Sequence, residues 1–64
     1  MIQNFIIDGE VYTAKIWRGQ EIFYAKCPEI GIISEGKTSK TARLHLIDAT
    51  KSYLEDNLLI DIEE

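Results

Sequence analysis

The sequence predicts an α+β fold: a two-layer sandwich with an antiparallel sheet of three to four strands, ordered β-β-β-α, and one helix packed on one face. Three observations predict it. The four glycines, at positions 9, 19, 31 and 36, each fall between apolar runs, as turns between strands do. From Ser39 to Asn57 there is neither glycine nor proline, and the apolar spacing changes to that of a helix. The chain has only 64 residues, so sheet and helix must share one core in a single domain, residues 1–64.

Asp8-Gly9 is a strong signal for a two-residue hairpin, because both residues tolerate positive φ. It sets Phe5 opposite Tyr12 and Ile6 opposite Val11. Gly19-Gln20 is a second, weaker signal. A two-residue loop there sets Arg18 against Glu21, Trp17 against Ile22, Ile16 against Phe23 and Lys15 against Tyr24. Strand faces alternate with period two. One face is then Tyr12, Ala14, Ile16, Phe23, Ala25 and Cys27, apolar apart from one hydroxyl, and this must be the core face. The other is Val11, Thr13, Lys15, Trp17, Ile22, Tyr24 and Lys26, with large aromatics among lysines.

Ile32-Ile33-Ser34-Glu35 supplies a further strand. Pro28 has no N–H to donate and belongs at a strand end or edge. In the helix, Ala42, Leu46, Ala49 and Tyr53 form one stripe, and Thr38 or Ser39 can cap its start. Leu44, Ile47 and Leu54 fall away from that stripe and form a second apolar patch. Leu58, Ile60 and Ile62 alternate with Leu59 and Asp61, which allows a short last strand.

One helix covers one sheet face. Trp17, Ile22 and Tyr24 are left uncovered as candidate partner contacts, and Leu44, Ile47 and Leu54 as candidate contacts between copies of the chain. Apolar patches of this kind mark interfaces. A homodimer or homotetramer is expected, since a chain of this size buries only about 60% of its unfolded surface alone.

Composition narrows the function. The net charge is −4, but five acids (Glu55, Asp56, Asp61, Glu63, Glu64) lie in the last ten residues, leaving the body near neutral. That lacks the basic excess of a strong nucleic-acid binder. No apolar run approaches the ~20 residues of a membrane span. Met1-Ile2-Gln3-Asn4-Phe5 lacks the basic start of a signal peptide. The single cysteine, Cys27, suits a reducing cytoplasm.

Nothing points to catalysis, a cofactor or a metal. Cys27 and His45 are the one thiol and the one imidazole, but Cys27 faces the core, where a thiol is inert. His45 lies beside the helix stripe, with Asp48 three residues on. Zinc needs three or four ligands, and no acid pair is spaced for glycoside hydrolysis. Gly31 to Thr38 reads Gly-x-x-x-x-Gly-Lys-Thr, but its middle is read here as the strand Ile32-Ile33-Ser34-Glu35 and not as a phosphate loop. Lys15, Trp17, Tyr24 and Lys26 together form the one nucleic-acid alternative, a sheet face that stacks bases and neutralises phosphates.

From Glu10 to Glu55 the chain resembles the N-terminal domain of HicB-family antitoxins. Tyr24-Ala25-Lys26-Cys27-Pro28-Glu29-Ile30-Gly31 is similar to the family's aromatic-rich strand ending in Pro-Glu-Leu-(Pro)-Gly. Ile33-Ser34-Glu35-Gly36-Lys37-Thr38 resembles its Ile/Val-Ser/Thr-Gln/Glu-Gly-x-Thr. Ala42, Leu46, Ala49, Tyr53, Leu54 and Glu55 match the spacing of its helix. Lys40 and Thr41 depart from the family's acids after the cap, Arg43 stands at a usually apolar position, and residues 1–9 look like an extra strand. The resemblance implies a partly degraded ribonuclease-H-like fold that oligomerises and masks a HicA-type RNA-cleaving toxin. It implies no catalysis by this chain. Residues 1–64 hold no counterpart of the ribbon-helix-helix or helix-turn-helix segment of many members, so DNA binding is not expected.

Overall fold

In the computed structural model four strands precede one helix: β1 (Ile2–Ile7), β2 (Glu10–Arg18), β3 (Phe23–Cys27), β4 (Ile32–Gly36) and α1 (Ser39–Glu63). The backbone is described for residues 1–63 and the side chains for residues 1–56. The sheet is antiparallel throughout, in the order β1-β2-β3-β4, and α1 lies across β4 and β3 and reaches β2. This is the predicted α+β sandwich.

The first hairpin has the expected register, with Phe5 against Tyr12 and Ile6 against Val11. Asp8 and Gly9 both have positive φ, 53° and 81°, the twist a two-residue hairpin loop needs.

The second hairpin differs. Trp17 pairs with Tyr24, Ile16 with Ala25 and Lys15 with Lys26, two residues along from the predicted register. The Gly19 N–H donates to the Ile22 carbonyl at 2.7 Å, so Gln20-Glu21 is the turn centre. Gly19 is placed for space instead: a Cβ there would lie 2.7 Å from Tyr24 Cε2. Because the slip is an even number of residues, no side chain changes face.

The core is Phe5, Ile7, Ala14, Ile16, Ala25 and Cys27 from the sheet, with Ala42 and Leu46 from the helix. Phe5 and Tyr12 stack across the β1–β2 ladder, centroids 5.7 Å apart. Three alanines, Ala14, Ala25 and Ala42, are fully buried and let the layers approach closely. The approach is tightest at Gly36, where a Cβ would meet the Ala42 nitrogen at 2.5 Å. Thr38 is the helix cap: its Oγ1 accepts from the Thr41 N–H at 3.0 Å, and its carbonyl from the Ala42 N–H at 2.9 Å.

The buried helix face follows the predicted stripe at Ala42 and Leu46 and leaves it beyond. Thr50 is fully buried, whereas Ala49 is half-buried and Tyr53 is 42% exposed. The inward line runs Ala42, Leu46, Thr50, at strict four-residue spacing. Ile47 and Leu54 sit beside this line and pack, half-buried, against the core. The alternation at Leu58–Ile62 makes no strand. The helix continues through it, since no glycine or proline intervenes to end it.

Candidate protein interface

The sheet face turned away from α1 is open. Ile2 and Ile6 are both 68% exposed, Val11 62%, Ile33 56% and Trp17 44%. They lie on all the strands but β3, which adds half-buried Tyr24 and Lys26. Trp17 and Tyr24 are direct cross-strand partners and stack with centroids 5.6 Å apart and ring planes 23° from parallel. Such pairs add roughly 0.5–1.5 kcal/mol beyond the area they bury. The stack is therefore a rigid aromatic platform built into the sheet. Two residues further along the same face, Lys15 lies opposite Lys26, a like-charge pair that weakens a ladder.

These positions correct the predicted neighbours. Trp17 packs on Tyr24 rather than Ile22, and Lys15 meets Lys26 rather than Tyr24, because the turn centre is one residue later than Gly19-Gln20. Ile22 lies in the turn and lines an open hollow of ~570 Å³ with Glu35, Gly36, Lys37, Thr41 and His45. Of the second predicted patch only Leu44 stands well exposed, at 49%. Ile47 and Leu54 belong largely to the core margin, because Thr50, a polar residue, lies on the buried line and shifts it towards them.

The two candidate nucleophilic residues are engaged separately. Cys27 is fully buried, and its Sγ–H points to Glu29 Oε1 at 3.5 Å. Burial, then the neighbouring carboxylate, raise its pKa, so the thiol is unreactive where it stands. His45 is exposed, with Nδ1 2.7 Å from the Glu35 carbonyl oxygen. A carbonyl can only accept, so Nδ1 carries the proton. Among the described residues no three His, Cys, Asp or Glu side chains gather as metal ligands would.

Glu29 has a structural task. β3 ends at Cys27, and the continued register would set Thr13 against Pro28. The Glu29 carboxylate takes the open position, and bonds from the Thr13 hydroxyl, its own backbone and the Thr13 amide hold its pKa at about 2.

The chain matches no family model, no curated protein and no solved structure. Among the described residues, no helix is long and apolar enough to cross a membrane.

Proposed function

We propose that the protein is a HicB-like antitoxin module of the cytoplasm, which masks a HicA-type RNA-cleaving toxin by covering it with the open sheet face. The observation that carries this reading is the uncovered Trp17–Tyr24 stack, on the same open sheet face as exposed Ile2, Ile6, Val11 and Ile33. Aromatic anchors surrounded by aliphatics are what protein interfaces concentrate, and a stable one needs roughly 800 Å² from each partner. The sheet-and-helix architecture is also the one the family resemblance implies. Lys15 and Lys26 repel a basic patch, so apolar contact supplies the affinity. The acids after Leu54 supply the attraction that speeds encounter with a basic partner.

The test is co-expression with a HicA-type interferase, followed by copurification and an RNA-cleavage assay. The expected result is a stable complex without cleavage. Trp17→Ala should weaken it by roughly thirtyfold or more, the effect of losing an interface anchor. Undiminished cleavage, or a complex indifferent to Trp17→Ala, would refute the proposal.

The lysine pair favours a second reading, a single-stranded nucleic acid laid along Lys15, Trp17, Tyr24 and Lys26. Against it, Tyr24 has Trp17 on one ring face and Gly19 pressed near its edge, which restricts base stacking. Filter binding separates the two, because phosphate contacts strengthen steeply at low salt. No retention of RNA at low salt would dispose of this alternative.

A further inference from the structure

The two edges of the sheet are not equivalent. Met1 and Ile16 exchange both backbone bonds, at 2.8 and 2.9 Å. In an antiparallel ladder such pairs alternate, so Gln3, Phe5 and Ile7 also bond to β2. Ile2, Asn4 and Ile6 therefore turn their N–H and C=O groups off the open edge of β1. The same counting from Gly19 and Ile22 gives Ile33 and Glu35 as the outward residues of β4. There the Glu35 carbonyl is taken by His45 Nδ1–H at 2.7 Å, and Glu35 and Lys37 add charge to that edge. β1 has none of these protections. Its six residues, Ile2-Gln3-Asn4-Phe5-Ile6-Ile7, include no charge, no proline and no bulge.

We propose that the β1 edge pairs antiparallel with β1 of a second copy of this chain, centred on Asn4 opposite Asn4. What such an edge accepts is a strand, since its unmet groups are backbone donors and acceptors at every second residue. A second copy fits for two reasons. The strand is uncharged, so it brings no like charges face to face despite the net charge of −4. It is also self-complementary: with Asn4 on the two-fold axis, Ile2 of each copy meets Ile6 of the other, on the outer face where both are 68% exposed. The axis stands perpendicular to the sheet, so both helices lie on one side and the two open faces join into one. The interface is small, so the dimer is concentration-dependent. This inference does not depend on what binds the open face.

Sedimentation equilibrium over a range of concentrations, with the intact chain, tests it. The wild type should show a monomer–dimer equilibrium. Asn4→Pro removes an outward N–H and the Asn4 side-chain bond to the Tyr12 carbonyl, leaving the backbone ladder to β2 whole, and should weaken dimerisation about tenfold or more. Ile6→Lys, which puts charge at the joint, should do the same should Asn4→Pro fail to fold. Asn4→Cys should form a disulfide-linked dimer on mild oxidation, because paired residues bring their Cα atoms about 5.5 Å apart. Ile33→Cys, on the other edge, should not. A strictly monomeric wild type, or a dimer that survives Asn4→Pro and Ile6→Lys, overturns the proposal. So does Ile33→Cys crosslinking in place of Asn4→Cys.

Discussion

Glu29 holds Thr13 by both of its donors: Oε1 accepts the backbone N–H at 3.1 Å and Oε2 the hydroxyl at 2.7 Å. A side chain thus meets the Thr13 donors beyond the point where the β2–β3 ladder ends at Cys27. Hydrogen bonds to the ionised form lower the carboxyl from its ordinary 4.5 to about 2. A depressed folded-state pKa gives stability that is complete above the unfolded value and lost as pH falls through the folded one. Wild-type Tm should therefore exceed that of Glu29→Gln at neutral pH, and the gap should close between pH 4.5 and pH 2. A gap constant with pH would show that the charge is immaterial.

Thr50 is fully buried, and its Oγ1 has no hydrogen-bond partner. Valine has the same shape without the hydroxyl. Thr50→Val should stabilise the fold by about 1 kcal/mol, the cost of an unmet buried group. Urea denaturation measures it, and a destabilised variant would contradict the burial argument.

Gly36→Ala should destabilise more than Gly19→Ala. At Gly36 the added methyl meets helix backbone, 2.5 Å from the Ala42 nitrogen, so the helix must shift. Overpacking of this kind costs roughly 1–3 kcal/mol. At Gly19 the main obstacle is the Tyr24 ring edge at 2.7 Å, which can tilt, with the Ile22 carbonyl oxygen next at 3.2 Å. That tilt disturbs the stack on Trp17, so Gly19→Ala should alter tryptophan fluorescence even where stability changes little.

Cys27 should resist thiol reagents in the native protein and react on unfolding, because it is fully buried and its pKa is raised. Rapid labelling under native conditions would reopen a chemical role for it.

The parts of the fold legible in the sequence are those decided by local rules. Asp8-Gly9 fixed its own hairpin because positive φ is a property of those two residues. The core face followed from period two, and survived the misplaced second turn because the slip was even. Gly19 misled because its purpose is clearance beneath Tyr24, a neighbour five positions along the chain. The apolar spacing of the helix points to one side of the buried line because Thr50, on that line, is polar. The candidate face was legible as a set of residues, but not its pairings: Trp17 with Tyr24 and Lys15 with Lys26 depend on the register. The tasks of His45 and Glu29 were invisible, since each bonds to a backbone group that only the folded sheet presents.

The imidazole on the Glu35 carbonyl bears on how far association can go. A sheet with two receptive margins can add copies without limit, which is the geometry of a fibre. On the β4 margin one outward carbonyl is taken from within the molecule and Glu35 and Lys37 add charge, which disfavours addition of a further strand there. His45 thus acts on assembly through one hydrogen bond, biasing the sheet towards a closed pair rather than an open row.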